Sequence, residues 1–563
     1  MNKISIPKNT LLFVHISTHF KEMMRVARLM KQNGGFQPYL FFYSGYEGVK
    51  RDIKQCQSEG IQYITYFDSH VSQSKHSIKQ RIKRIIRWSF KLIFKIIEII
   101  IYLLKPISWI LNGISHAYRK LIGISKNKGY LKNNKWFIIL FVPFYYLFKF
   151  IVSVFNGIFQ SCRKYSKTGK NKLFFKNEKW LASLLISVYK LIWDKLPVLL
   201  PTISRSAYKY SKSIDEILMQ NEVKLLVYPE HNLFYFTQLT SHIGKKYNIP
   251  SIIVPFTIAN TKEWAEAFYN EPACSLSKFY NKIMSIAFPD WVFSYKNKRI
   301  ILHADLILLH EMFGATPKNP WLLNSGMINF LAIESNAMKE YYIAAGLEEN
   351  YLKSTGALYN DELYLKLQNA DLYRLKLYQS LDMQPNKPMI LCALPPNQCE
   401  SRLDVIEFTG YSDLVRYVLG ELEQYANEYN IVINLHPRIN SSTVEFISDY
   451  AVKVFYGDVA EIIPLSSVYV ATCSATIRMA ITCGIPVINY DLYQYRYDDY
   501  DDLEGVITIF SRIEFANTLK KLVKETNFYE EIRAAQLKDS TKWGLLDGKS
   551  GENLLSEINL LFT

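Results

Sequence analysis

Short apolar runs alternate along this chain with longer segments in which apolar residues recur every three or four positions. Runs at 11–16, 38–43 and 61–67 predict buried strands, because polar residues or glycine bound each of them. Residues 19–32 have the apolar spacing of a helix between the first two runs. This alternation favours a parallel sheet that is covered by helices on both faces.

The same alternation resumes after residue 200 and again after residue 388. The further predicted strands lie at 223–228, 249–255, 304–309, 329–333, 353–355, 389–394, 431–435, 452–455, 468–471 and 486–490. A polar helical segment at 357–387 is the predicted linker. We therefore expect an α/β protein with two Rossmann-like doubly wound domains, and ligands in a cleft at the carboxyl ends of the strands.

One basic segment interrupts this pattern. The 563-residue chain has a formal charge of +16, which first suggests a polyanionic partner such as nucleic acid. Residues 71–200, however, contain 25 Lys and Arg but three acidic residues, a net charge of +22, whereas the remainder is at −6. The predicted domains are therefore 1–70 with 201–357, the insertion 71–200, and 388–563.

The insertion has the pattern of a membrane anchor. On a helical wheel, 84–112 shows a cationic stripe roughly 80° wide on an otherwise apolar surface, which suits the interface of an anionic bilayer. Residues 136–159 carry one charge and are long enough to span a bilayer, although Pro143 and basic flanks fit a shallow or hairpin insertion equally. A buried helical subdomain is the alternative. Nucleic acid is not an expected partner, because it would leave the apolar area unused.

The cysteines and the N-terminus indicate the compartment. The seven cysteines form no CxxC pair, and no signal-peptide pattern follows the first apolar run. We expect reduced thiols and a location on the cytoplasmic face of the plasma membrane.

Two stretches of the second domain have the pattern of a phosphate site. His436, Pro437 and Arg438 follow a predicted strand, where an imidazole and a guanidinium can meet a phosphate. Farther on, a strand ends at Cys473, and a helix is predicted over 474–483 with Ser474 or Cys473 as its N-cap.

Together, these patterns carry a family resemblance. The order HP after a strand, then strand, Ser/Thr, helix, GxPV, strand and Asp resembles the C-terminal domain of GT-B glycosyltransferases of bacterial surface (capsular) polysaccharide synthesis. It is also similar to CDP-glycerol glycerophosphotransferases and to UDP-N-acetylglucosamine 2-epimerases, and HP with a Ser-rich turn resembles bacterial sialyltransferases. Residues 330–361 resemble the end of the N-terminal domain in this group.

The resemblance implies roles for particular residues. The residues that would bind the donor's nucleotide or phosphates are His436, Arg438, Ser474, Thr476 and, one turn into the helix, Arg478. The chain departs from the epimerase pattern, since Ala475 and Thr476 stand in its Ser-Gly-Gly turn and Arg478 and Met479 in the region of its paired acids.

An inverting transferase also needs a general base on the acceptor side. The catalytic candidates are His19, where the first strand turns into the first helix, and Glu230 with His231, just beyond the fourth strand. Glu334 also follows a strand, while His15 lies inside an apolar run and suits the core. A Glu–His pair can serve as base and orienting residue, or bind the acceptor.

We expect neither metal nor cofactor. The acidic run at 498–504 in a Tyr-rich loop is typical of a solvated loop, and GT-B transferases generally stabilise the leaving nucleotide with a helix dipole and basic side chains. The leading hypothesis is a membrane-associated glycosyltransferase that uses a nucleotide-activated sugar and a surface-polysaccharide or lipid-linked glycan acceptor. The alternatives are a CDP-polyol phosphotransferase and a catalytically silent membrane scaffold of the same fold.

Overall fold

The computed structural model describes residues 7–43, 45–66, 177–254, 261–436, 439 and 441–563. Most of the predicted insertion, including 84–112 and 136–159, lies outside these residues. Contacts divide the chain into two compact units. Unit 1 consists of Met1–Phe67, Tyr210–Asn270 and Ala315–Thr563, and unit 2 of Asp68–Lys209 and Glu271–Gly314.

Two parallel sheets form the framework of unit 1. The strands of the first sheet are β1 (Lys8–Val14), β2 (Phe36–Phe42), β3 (Gln62–Thr65), β4 (Leu225–Tyr228), β5 (Ser251–Ile253), β8 (Phe330–Ile333) and β9 (Leu352–Ser354). The strands of the second sheet are β10 (Met389–Leu394), β11 (Asn430–Leu435), β12 (Lys453–Phe455), β13 (Val468–Ala471), β14 (Val487–Tyr490) and β15 (Val506–Ile509). Strands β6 (Val292–Tyr295) and β7 (Lys298–Ile301) form an antiparallel hairpin in unit 2.

The described helices alternate with these strands. Before residue 330 they are α1 (Ser17–Asn33), α2 (Val49–Ser58), α3 (Asn177–Lys195), α4 (Thr202–Gln220), α5 (Thr237–Lys246), α6 (Thr261–Tyr269), α7 (Phe279–Ala287) and α8 (Ala304–Phe313). After residue 330 they are α9 (Asn336–Ala344), α10 (Leu358–Gln368), α11 (Ala370–Ser380), α12 (Tyr411–Glu423), α13 (Ile477–Thr482), α14 (Arg512–Lys524), α15 (Thr526–Trp543) and α16 (Ser550–Leu560).

The strand order of both sheets is that of a doubly wound fold. The first sheet runs β3-β2-β1-β4-β5-β8-β9, and the second runs β12-β11-β10-β13-β14-β15. In each, the order reverses once, between β1 and β4 and between β10 and β13. Such a reversal opens a crevice at the carboxyl ends of the two strands. The predicted α/β class with two Rossmann-like sheets is confirmed.

One predicted strand is wrong. Residues 304–309 lie in helix α8, which ends at Gly314 with a φ of 60°. Its apolar run buries Leu306, Ile307 and Leu309 on several sides. An apolar run of this length does not distinguish a buried helix from a buried strand, because neither shows periodicity when all its sides are covered.

The last helix returns to the first sheet. Leu554, Leu555 and Ile558 of α16 belong to the same buried cluster as Leu12 and Val14 of β1. The Asp361 carboxylate of α10 accepts the backbone N–H groups of Ser550 and Gly551 at 2.9 Å each, and these bonds cap the start of α16. The chain beyond the second sheet therefore contributes to the first core.

Unit 2 contains α3, α7, α8 and the β6–β7 hairpin among its described residues. Trp193 of α3 contacts Phe313 edge-on, with ring centroids 5.1 Å apart. The described part of the chain contains no helix of the length and apolar character needed to cross a membrane. The membrane-anchor hypothesis remains a prediction from the sequence.

Candidate active site

The crevice of the first sheet brings two predicted catalytic residues together. His19 lies in the first turn of α1, directly beyond β1, and Glu230 lies two residues beyond β4. Their side chains meet with His19 Nε2 and Glu230 Oε1 3.7 Å apart. Glu230 keeps 7% of its side chain exposed and His19 none, so Glu230 is the member of the pair that solvent reaches.

The protonation of this pair follows from its surroundings. The backbone N–H of His15 donates to His19 Nδ1 at 3.3 Å, which leaves the proton of the neutral ring on Nε2, facing Glu230. Burial, and to a lesser extent the nearby His15, holds the pKa of His19 well below its usual value. Burial raises the pKa of Glu230 to about 7, against a smaller lowering by the hydrogen bond from Asn232 Nδ2. A carboxylate with such a pKa suits a general base near neutral pH.

His15 packs next to the pair, with its ring against those of His19 and Tyr235. Its ring stacks on that of Tyr235 with a centroid distance of 4.6 Å, and burial lowers its pKa to about 3. It is therefore a neutral core residue, as its place in an apolar run indicated.

His231 belongs to a different network from Glu230. Its backbone N–H donates to Asn324 Oδ1 at 2.8 Å, and its Nε2 lies 3.2 Å from Ser241 Oγ. A Cβ atom on Gly326 would come within 2.2 Å of its Nδ1, so the ring fills a tight space. The histidine that lies against Glu230 is His19, rather than its neighbour in sequence.

The crevice of the second sheet carries hydroxyl groups. A small recess beside β10 and β13 is mainly apolar and is lined by Leu394, Pro395, Val418, Val470, Thr472 and Leu492 among others. Two residues after Thr472, Ser474 Oγ lies 2.7 Å from Thr476 Oγ1 and accepts the backbone N–H of Thr476 at 3.3 Å. Both residues are half-buried, and Thr476 Oγ1 also contacts the hydroxyl group of Tyr469.

The start of the following helix differs from the prediction. Helix α13 has six residues, and its N-cap is Thr476, in place of Ser474 or Cys473. Cys473 adopts a left-handed φ of 44°, and its N–H donates to Asn489 Oδ1 at 2.9 Å. The helix therefore begins later in the chain than predicted, and the Cys473 N–H is bonded within the domain.

His436 lies on the other side of β10. It directly follows β11, which pairs with β10, and it is half-buried. Its carbonyl oxygen accepts the N–H of Ile439 at 2.9 Å, which closes a turn. The predicted donor residue Arg438 lies outside the described residues. His436 and Ser474 thus flank the strand at which the order of the second sheet reverses.

Arg478, predicted to add charge to the donor site, pairs with a carboxylate. Its Nη1 lies 2.7 Å from Glu334 Oε1, and both side chains are at least nine-tenths buried. The Tyr359 hydroxyl donates to the other oxygen of Glu334. Burial alone would lower the pKa of Arg478, but the Glu334 charge raises it, so the guanidinium stays protonated. Glu334, a possible base in the sequence analysis, and Arg478, a predicted donor-binding residue, are therefore bonded to each other.

The carboxyl edges of the two sheets face each other. Among the described residues, four ion pairs join a residue that follows a strand of the first sheet to one that follows a strand of the second. The pairs are Lys21 with Asp458 (3.1 Å), Lys262 with Asp498 (2.6 Å), Glu266 with Arg402 (2.8 Å) and Glu334 with Arg478 (2.7 Å). The His19–Glu230 pair and the hydroxyl groups of the second sheet therefore lie at two sheet edges that contact each other.

The acidic loop contributes to this edge. Asp498 is 58% exposed where it meets Lys262, and Asp501 and Asp502 are exposed as well. Within the described residues, no three His, Cys, Asp or Glu side chains are grouped so as to hold a metal ion.

Sequence reasoning missed the residues that hold the candidates in place. Asn232, which donates to Glu230, stands two positions after it, and that spacing is a signal for a local turn. Tyr235 and Asn324 left no such signal, since their contacts depend on the folded chain.

Comparisons with known proteins find solved structures that are similar to this chain at low sequence identity. No protein-family model and no curated protein matches it. The calicheamicin glycosyltransferase CalG4 is a similar solved structure, at 8% identity over 99% of both chains and a TM-score of 0.44. A UDP-GlcNAc 2-epimerase from Neisseria meningitidis is similar at 10% identity over 98% of this chain and 100% of that one, with a TM-score of 0.46.

The wall teichoic acid polymerase TagF is similar over 68% of this chain and 84% of its own, at 15% identity and a TM-score of 0.37. By their names these three proteins are a glycosyltransferase, a UDP-GlcNAc 2-epimerase and a wall teichoic acid polymerase. Identities of 8–15% leave the chemistry of this chain to be argued from its own side chains.

Proposed function

We propose that this protein is a membrane-associated glycosyltransferase. It moves a sugar from a nucleotide-activated donor to a hydroxyl group of a surface-polysaccharide or lipid-linked glycan acceptor. The observation that carries the proposal is the buried His19–Glu230 pair, at 3.7 Å, in the crevice of one Rossmann-like sheet whose carboxyl edge faces that of a second.

Glu230 is the general base in this proposal. Its carboxylate takes the proton of the acceptor hydroxyl as the hydroxyl oxygen forms a bond to the anomeric carbon of the donor sugar. The bond from that carbon to the nucleotide breaks, and its electron pair leaves with the phosphate oxygen. His19 is a positioning residue, because its Nε2–H faces the carboxylate and its Nδ1 is held by the backbone of His15.

The second sheet binds the donor. The half-buried His436 and the hydroxyl groups of Ser474 and Thr476 flank β10 and suit a phosphate-bearing ligand. Arg438, two positions after His436 in the sequence, adds a positive charge. The basic insertion at 71–200 would hold the cleft against anionic lipid on the cytoplasmic face of the membrane.

Nucleotide binding tests the donor site. We expect one of CMP, CDP, UDP and GDP to raise the melting temperature of the purified protein, because only the folded state binds it. His436→Ala should weaken that nucleotide roughly tenfold, since a hydrogen bond to a charged phosphate is lost. Ser474→Ala should weaken it by less, and Ser448→Ala, at an exposed position in the same domain, should change nothing.

The outcomes separate the hypotheses. A response to none of the four nucleotides would contradict the transferase and favour the silent scaffold. A response to CDP, with turnover of a CDP-polyol but of no nucleotide sugar, would favour the polyol-phosphate transferase.

A further inference from the structure

Helix α3 of unit 2 is apolar on two opposite faces. One face is packed inside the unit, where Tyr189 and Trp193 are 4% and 7% exposed. At 100° per residue, Trp180, Val188 and Leu191 fall within about 80° of one another on the opposite face. These three side chains are 58%, 39% and 59% exposed. A helix that already has a packed face does not need a second apolar face for its own stability.

Helix α7 repeats this arrangement. Its inner face is fixed by Asn281, whose amide donates to the carbonyl oxygens of Ala273 and Ser275 at 2.8 and 2.7 Å. Its outer row consists of Phe279, Lys282 and Ile286, and the two apolar members are each 51% exposed. The outward direction of this row is therefore set by contacts on the other side of the helix.

Exposed cations accompany these apolar rows. Helix α3 carries Lys179, Lys190 and Lys195 against Glu178 and Asp194, and the β6–β7 hairpin exposes Lys296, Lys298 and Arg299. From 278 to 299 the chain has five basic residues and one acidic residue. Apolar side chains beside lysines suit a surface that is apolar inside and anionic outside, because the lysine stems extend toward the charged groups.

The same charge disfavours two other partners for this surface, a second copy of the chain and another segment of the same chain. A symmetric contact with a second copy would bring like charges together. The segment at 71–176 of this chain carries 22 basic residues and one acidic residue, so its charge repels this surface as well.

We propose that unit 2 docks on the surface of an anionic lipid bilayer through a docking surface that extends beyond the basic insertion. The docking surface consists of Trp180, Val188 and Leu191 on α3 and of Phe279 and Ile286 on α7. It includes α7, nearly 80 residues beyond the end of the insertion that the sequence pointed to. The inference rests on the membrane association of the proposed function, and it assigns that association to particular side chains.

Vesicle flotation of the full-length protein tests the docking surface. The probe is vesicles of phosphatidylcholine with phosphatidylglycerol, and vesicles of phosphatidylcholine alone are the comparison. Phe279→Glu combined with Ile286→Glu should weaken binding to the mixed vesicles roughly tenfold or more, since two large apolar side chains lose their burial and two anions are added. The matched control is Ile513→Glu in unit 1, at a residue 75% exposed, and it should bind as the wild type does.

A second variant tests the charge. Lys298→Gln with Arg299→Gln should reduce binding to the mixed vesicles and leave the weaker binding to neutral vesicles unchanged. Wild-type binding in the α7 variant, or equal binding of the wild type to both kinds of vesicle, would overturn the proposal. A dimer in sedimentation that the α7 variant abolishes would also overturn it, in favour of a second copy.

The nucleotide response of the same variants separates this inference from the proposed function. An unchanged melting shift with nucleotide, together with lost flotation, supports the docking surface while the transferase site stays intact. A wild type that responds to nucleotide but does not float with either kind of vesicle overturns the docking surface and leaves the donor site standing.

Discussion

Glu230 and His19 show what burial does to a pair of titratable side chains. Burial opposes the charged form of each, so the pKa of the carboxyl rises to about 7 while that of the imidazole falls. At neutral pH the histidine is uncharged, and the carboxyl group is near its midpoint. In the proposed reaction, Glu230 rather than His19 would therefore accept the proton of the substrate.

Glu230→Gln tests this assignment through the rate. The amide keeps the shape of the side chain but takes up no proton, so we expect transfer to fall at least about 100-fold with nucleotide binding unchanged. The wild-type rate should fall as pH decreases through about 7, because the base becomes protonated. Measuring the rate against pH checks both, with Glu531→Gln, at an exposed position, as the control. A variant with normal turnover would exclude Glu230 as the base.

The same substitution has a consequence for stability. The pKa of Glu230 is raised above its ordinary 4.5, so folding favours the protonated form, and this contribution is lost as pH rises through about 7. Glu230→Gln removes the cost of the buried charge. We expect it to be more stable than the wild type by about 3 kcal/mol at pH 8 and by little at pH 5. Urea unfolding at the two pH values measures the difference, and an equal effect at both would contradict the raised pKa.

At the scale of elements, the loop after β8 and helix α13 are joined by a buried ion pair. Arg478 and Glu334 are 5% and 8% exposed in their side chains, and the Tyr359 hydroxyl completes the contact. A buried charge that loses its partner has no water to replace it.

Arg478→Ala should therefore lower the free energy of unfolding by about 3–5 kcal/mol, because it leaves the Glu334 carboxylate buried and unpaired. The control is Lys542→Ala, which breaks an exposed ion pair with Glu340 that also joins the two halves of unit 1. That change should cost about 0–1 kcal/mol. Equal losses in urea unfolding would mean that the burial of Arg478 does not matter.

At the scale of the whole molecule, the last helix makes the first core depend on the end of the chain. Leu554 is 1% exposed among residues of the first sheet's core, more than 500 positions from β1. We therefore expect the first sheet to reach its full stability only with α16 packed against it.

Leu554→Ala tests this dependence. Removing the side chain leaves a cavity beside the first sheet, so we expect a loss of about 2–5 kcal/mol in the free energy of unfolding. Leu560→Ala in the same helix is the control, because that side chain is 61% exposed. Hydrogen exchange should show the lost protection in β1 and β2, and a loss confined to the second sheet would contradict the packing of α16.

Local pattern was sufficient for most of the framework. Alternating apolar runs and helical segments predicted both parallel sheets, and the positions just beyond the strands indicated His19, Glu230, His436 and Ser474. Strand, turn and helix start depend on neighbours in sequence, so these features are present in short stretches of chain. The exceptions are 304–309, where an apolar run that is covered on several sides shows no periodicity, and the edge strand β15, which was not among the predicted strands.

Tertiary structure alone decided which candidates meet. Glu230 lies against His19, more than 200 residues away, and its neighbour His231 turns into another network. Arg478 pairs with Glu334, and α16 completes the first core. The physical reason is that strand order and side-chain packing bring together residues that are distant in the chain. Periodicity depends only on residues that are close together in sequence, so it does not predict these contacts.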